Sequence, residues 1–327
     1  MKNTNPTMTP TMIPNNEHKE IPGNPSTATS SRIKLSDRSN GKPLRVMSEE
    51  DWAFWKHNGY IVVKNAVPRE QALATAAFLW EFEEKNPNEP ETWYTAPRAK
   101  IEMRELAGTG MVEVYNNQHL WDNRQTQRVY DAFADVWGTE KLWVTIDRAN
   151  LNFPMRPGHE YKGFIHWDYD PETKPQNVQG VLALSDQTDE SMGGFQCIPE
   201  LFRSYDTWKL TQPEDRDRFN PDISGWEDKI VKVKMEAGDL LIFNCCQPHG
   251  IRPNLSKGKV RVAQYISMMP AEEDNVPLRE WRISSWKNRI APEGYAFPGD
   301  PRNWEQTKYE RAKLTELGEK VLGLKKW

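Results

Sequence analysis

Large apolar side chains are sparse over residues 1–45, which are rich in Thr, Pro, Asn and Ser. Such a stretch buries too little to offset the entropy of ordering, so it reads as a disordered leader. The pattern changes at Ser48, an N-cap with Asp51 three positions on. Trp52 and Trp55 then fall on one side of a helix that ends near Gly59. The apolar run Tyr60-Ile61-Val62-Val63 reads as a strand. Beyond Pro68, Leu73, Ala76, Ala77 and Trp80 recur at helical spacing. Another helix is predicted over 124–136, with Tyr130, Phe133 and Trp137 along its apolar side. From there the apolar runs are short and strand-like, at 142–147, 161–168, 178–184, 230–235, 239–245 and 260–268. Helices near 278–288 and 305–322 close the chain. Residues 201–229, charged and containing Pro213 and Pro221, read as an insertion between strands.

Helices first, then strands without interleaved helices, argue for an α+β fold built on a β-sandwich. A double-stranded β-helix, the cupin-like jelly roll, accommodates about eight strands in this order. The expected organisation is a leader over 1–45 and one domain over 46–327. Its jelly-roll core lies at about 140–270, helices flank it on both sides, and the C-terminal pair falls within 276–324. The open mouth of such a core is where a ligand site sits.

Composition narrows the partners. A net charge of −4 and a pI of about 6.0 over 327 residues favour neither nucleic acid nor an anionic membrane surface. No apolar run approaches the length of a membrane span, and no charged segment followed by an apolar one suggests a secretory signal. Three cysteines, Cys197, Cys245 and Cys246, do not make a disulfide framework. A cytoplasmic protein acting on a small molecule is the expectation; nothing in the sequence sets an oligomeric state.

The candidate chemistry lies in His166-Trp167-Asp168, which closes a predicted strand. Residues i and i+2 of a strand project to one face, so His166 and Asp168 point the same way and Trp167 the other. A second histidine would complete two imidazoles and one carboxylate with open positions, the ligand set of non-haem Fe(II) oxygenases. The other histidines are His18, His57, His119, His159 and His249. His18 falls in the leader, and His57, His119 and His159 in helix-end or loop contexts. His249 instead follows a Gly238-Asp239 turn and an apolar strand. Twelve positions later, Arg261 alternates with Ala263 and Tyr265 on the next strand. An inward arginine there needs an anion, either an internal Asp or Glu or a bound carboxylate that its guanidinium fork can grip.

Together, His166-Trp167-Asp168, Met192-Gly193-Gly194-Phe195-Gln196-Cys197-Ile198-Pro199, Gly238-Asp239, His249 and Arg261 resemble the phytanoyl-CoA dioxygenase family of Fe(II)/2-oxoglutarate oxygenases. The resemblance covers about residues 48–270, including Trp52 to Val63 as the opening helix and strand. It implies that His166, Asp168 and His249 hold iron and that Arg261 holds the far carboxylate of 2-oxoglutarate. The 201–229 insertion would then lie near the site as a lid. Asn150, Asn152 and Gln179 are candidates to flank the cosubstrate, and Arg148 and Arg252 to face an anionic group of the substrate; a surface or loop contact is the alternative for each. The implied reaction uses Fe(II), 2-oxoglutarate and O2. It hydroxylates, desaturates or cyclises at a C–H bond of a small metabolite, with succinate as coproduct. An ordinary Lys/Arg content does not favour a CoA-sized polyanion. Two other classes fit the same barrel: a metal-dependent isomerase or hydrolase, and a binding module without catalysis.

Overall fold

The computed structural model describes residues 31–95, 110–156, 158, 162–292 and 298–327. Helix α1 (Glu49–Asn58) starts as its sequence dictates, with Ser48 accepting from the Asp51 amide and Asp51 accepting from that of Ser48. It stops at Gly59, at φ +71, where a Cβ would strike Gln247 and Phe202. There follow β1 (Tyr60–Val63), α2 (Arg69–Phe82), β2 (Met111–Val112), α3 (Gln118–Arg124), α4 (Gln127–Trp137), β3 (Leu142–Val144) and β4 (Ala149–Asn152). Next come β5 (Val178–Ala183), β6 (Gly194–Cys197), α5 (Pro199–Trp208), β7 (Val231–Lys232), β8 (Leu240–Asn244), β9 (His249–Arg252), β10 (Arg261–Tyr265) and β11 (Met268–Pro270). Helices α6 (Val276–Asn288), α7 (Trp304–Thr307) and α8 (Glu316–Leu322) complete the described elements.

The strands pair antiparallel. A large sheet has the order β1-β8-β5-β10-β4-β2, a small one β7-β6-β9, and β11 pairs with β3. Register fixes which side chains share the inner face of the large sheet. Tyr60, Phe243 and Gln179 form one rung; Val62, Leu241, Val181 and Tyr265 the next; then Ala183, Ala263 and Asn150; then Arg261 and Asn152. The small sheet lies against this face, since Phe195 and Cys197 pack in one cluster with Val181, Ala183, Leu241, Phe243 and Ala263. The opposite face, with Ile61, Leu182, Ile242 and Val262, packs against Leu79, Phe82, Phe133 and Val136 of α2 and α4. Each such fully buried side chain contributes about 1.5–3 kcal/mol. The result is a mixed α and antiparallel β architecture with helices on one side and a lined interior on the other.

Several expectations need correction. The leader does not extend to residue 45: from residue 31 on the chain is pinned. Ser31 and Leu35 donate to Gln176 (both 2.8 Å), and Asp135 of α4 accepts the amides of Arg45, Val46 and Met47 at 2.8–3.0 Å. Residues 1–30 lie outside the described residues. Of the predicted strand over 161–168, the described residues 162–168 form a single bridge, between His166 and His249. The helix expected over 305–322 is two, broken where Thr315 caps α8 by accepting from Gly318. Helix α5 begins just before the 201–229 stretch and forms its first part, between β6 and β7. Among the described residues, no helix is long and apolar enough to cross a membrane.

Candidate active site

The site is assembled by backbone pairing. The His166 amide donates to the His249 carbonyl at 2.8 Å, and the His249 amide donates back at 3.0 Å. This reciprocal bridge brings the two rings to a centroid separation of 4.7 Å. Trp167 turns to the other face and is buried, so Asp168 returns to the side of His166. Asp168 Oδ1 lies 3.0 Å from His166 Nε2, and Oδ2 lies 3.3 Å from His249 Nε2. Among the described residues this is the one group of three potential ligand atoms lying within 4.8 Å of each other.

The outer nitrogens decide what the inner ones can do. His166 Nδ1 is 3.0 Å from the His249 carbonyl, and His249 Nδ1 is 2.8 Å from the Gln247 carbonyl. Carbonyls only accept, so both Nδ1 atoms carry a proton and both Nε2 atoms are turned toward Asp168, where each either donates to the carboxylate or, deprotonated, offers a lone pair to a cation shared with it. Two imidazole nitrogens and a carboxylate converging on one point make a metal-ligand set. Burial pushes the Asp168 carboxyl up, but its contacts with His166 and His249 outweigh this and hold it well below the usual carboxylate range. Gln179, from the same inner face, donates to Asp168 Oδ2 at 2.5 Å and fixes its orientation. Phe195 stacks on His249 at 5.7 Å and Phe243 abuts it at 4.5 Å, which screens that ligand from water. The donor set fits Fe(II).

Arg261, 1% exposed, lies at the far end of the same inner face. Its Nε donates to Gln187 Oε1 at 3.0 Å and its Nη1 to Asn150 Oδ1 at 3.4 Å, while Nη2 is buried without a partner. Among the described residues no carboxylate pairs with it. Asn152, directly across the ladder, has a buried Oδ1 that is also unpartnered. Gly194 leaves room here: a Cβ would lie 3.3 Å from Arg252 Nη2, 3.6 Å from Gln187 Oε1 and 3.9 Å from Arg261 Nε. Gly194 pairs with Arg252, three residues along β9 from His249. That places the guanidinium end about 10 Å from the triad along the strand. An extended five-carbon dicarboxylate suits this span, with one end at the metal and the other at Arg261.

The remaining candidates are otherwise engaged. Arg148 is buried in an ion pair with Glu113 at 2.6 Å, with Asp147 at 3.9 Å. Arg252 is buried and donates to the carbonyls of Phe195 (2.8 Å) and Gly193 (2.5 Å). Both are buried rather than surface contacts: Arg148 is engaged by Glu113, while Arg252 lies beside Arg261 across Gly194 and keeps a buried Nε without a partner. His119 stacks on Phe78 at 5.2 Å, away from the triad. His18 and His159 lie outside the described residues. Sequence reasoning missed Gln187, a neutral amide with no motif around it; only the requirement that a buried guanidinium be satisfied would have pointed to such a partner.

The chain matches the model of the family described as phytanoyl-CoA dioxygenase (PhyH) over residues 55–263. It is 24% identical over 273 residues to "Ava biosynthesis cluster protein O" of Aspergillus versicolor, covering 76% of this chain and 84% of that protein. Among solved structures it is similar in fold to the GlcNAc Inducible Gene 2 protein of Candida albicans, with a TM-score of 0.62 and 14% identity over 88% of this chain and 78% of that one. A hypothetical protein of Escherichia coli gives 0.61 and 18%, over 87% and 86%. The match takes in the end of α1, every strand of the large sheet except the last residues of β10, and all three triad residues. This chain belongs to the phytanoyl-CoA dioxygenase family.

Proposed function

We propose that this protein is an Fe(II)- and 2-oxoglutarate-dependent dioxygenase of hydroxylase type that oxidises a C–H bond of a small metabolite. The two facing sheets are read as the halves of a double-stranded β-helix, with the site between them. His166, Asp168 and His249 would hold the iron. When bound, iron with 2-oxoglutarate and O2 supplies the oxidising power for C–H cleavage, with loss of CO2 and formation of succinate. The chain's own residues do the rest. Arg261 fixes the far carboxylate, with Asn152 and Asn150 beside it. Gln179 aligns Asp168. Phe195 and Phe243 keep water from His249.

The observation that carries this reading is the buried, unpartnered Nη2 of Arg261, about three residue steps from the triad. A buried guanidinium without an anion is costly, and a metal-dependent isomerase or hydrolase has no use for it. The similarity to a protein named for a biosynthesis cluster supports a natural-product intermediate as substrate. Three free cysteines suit a reducing, cytoplasmic setting. The test is anaerobic addition of Fe(II) and 2-oxoglutarate, which should give a weak visible charge-transfer band, with succinate released on admitting air. His166→Ala and His249→Ala should each lose the band; a wild-type band in both would overturn the ligand assignment.

A further inference from the structure

The stretch expected to act as a lid is folded onto the back of the metal-ligand segment. Helix α5 leaves directly from the end of β6, whose Cys197 pairs with His249. Its Leu201, Tyr205 and Trp208 close a separate apolar cluster around Ile165 and Trp167. Tyr205 and Trp208 meet the Trp167 ring edge-on, at 5.5 and 5.8 Å. Trp167, 1% exposed, is also held by both of its donors. Its amide donates to the Phe219 carbonyl of the insertion at 2.8 Å. Its indole Nε1 donates to the Cys246 carbonyl at 2.9 Å. Cys246 precedes Gln247, whose carbonyl holds His249 Nδ1. Just past Asp168, Arg216 pairs with Glu172 at 2.6 Å, and Arg218 with Asp170 at 3.1 Å and Glu172 at 2.8 Å.

We infer that Trp167 is a positioning residue for the metal site and that the insertion is its buttress. Trp167 sits between two ligands, so its orientation sets theirs. The indole bond ties the His166–Asp168 segment to the loop that delivers His249. The insertion clamps that segment from behind through Phe219 and the two arginines. A metal site depends on such outer partners because they hold ligands at bonding geometry before the ion arrives. The inference rests on the metal-site reading above, with the insertion outside the site rather than over it.

The experiment uses the full chain and Co(II) as probe, read by its visible d–d bands during anaerobic titration, with apo thermal unfolding measured in parallel. Trp167→Phe keeps most of the ring packing and removes the indole N–H. It should weaken Co(II) binding about 10-fold and alter the band pattern. Arg218→Ala, at a half-exposed position where folding is safe, should weaken binding about threefold with little change in unfolding temperature. Co(II) affinity within twofold of wild type in both variants would overturn the inference, even if activity fell. Failure of the wild-type protein itself to bind Co(II) would instead overturn the metal site. Folding failure of Trp167→Phe would leave Arg218→Ala to decide.

Discussion

Arg261 and Gln187 are joined by a hydrogen bond of 3.0 Å from Nε to Oε1, in a place where a carboxylate would be the ordinary partner of a buried guanidinium. The neutral amide fixes the orientation of the arginine and leaves its charge uncompensated. Arg261→Met should therefore raise the 2-oxoglutarate concentration needed for half-maximal turnover by about 100-fold, since a charged hydrogen bond is worth about 1.5–3 kcal/mol. Unfolding of the apo protein should change little, because no internal carboxylate is stranded. Loss of several kcal/mol in apo stability with unchanged 2-oxoglutarate affinity would contradict this.

Gln179 donates to Asp168, so its first expected effect is on metal binding. Gln179→Ala should weaken Fe(II) binding by about 10-fold or more, as loss of outer partners of metal ligands does. Affinity for 2-oxoglutarate at saturating metal should stay close to wild type. Separate titrations of metal and cosubstrate distinguish the two roles.

Arg148 and Glu113 form a buried pair. Arg148→Met strands the Glu113 carboxylate and should cost about 3–5 kcal/mol of stability. The substrate concentration dependence of the folded fraction should be unaltered. Denaturant unfolding checks the first statement and steady-state kinetics the second.

Glu83, which caps the end of α2, is buried with both carboxylate oxygens unpartnered. Burial, opposed by Arg302, pushes its carboxyl up to about 8 from 4.5. The folded protein thus holds a proton that the unfolded chain has released, and this group makes stability fall as pH rises from 4.5 to about 8. Glu83→Gln should flatten that slope and raise the unfolding temperature at pH 8 relative to wild type. Asp168 does not interfere, since its lowered carboxyl titrates below this window. An unchanged slope in Glu83→Gln would remove Glu83 as its source.

The triad was legible because its logic is local. An i, i+2 pair and a histidine after an apolar strand need only strand geometry to be read, and the same holds for Arg261 alternating with Ala263. Strands β6 and β9 were harder: Gly193-Gly194 and the Pro248 and Pro253 boundaries leave them too short for alternation to show. The pinning of residues 31–47 was invisible because Gln176 and Asp135 stand about 90 to 140 positions away along the chain. Polar side chains in the leader gave no sign of partners so distant. The partners of Arg148 and Arg252 were hidden for the opposite reason. Their charge was visible, but the Glu113 carboxylate and the β6 carbonyls that absorb their donors were not.

The reciprocal bond between His166 and His249 has a consequence for how the protein lives without its metal. The spacing of the two imidazoles is set by main-chain pairing, which no ion takes part in. Loading therefore asks for little reordering, and stripping the ion removes a reactant rather than a fastener. Treatment with a chelator should leave a fully folded, reloadable protein, in contrast to domains whose folding energy is the metal bond itself. The fold can thus be made, stored and exchanged between metal supplies while its chemistry waits.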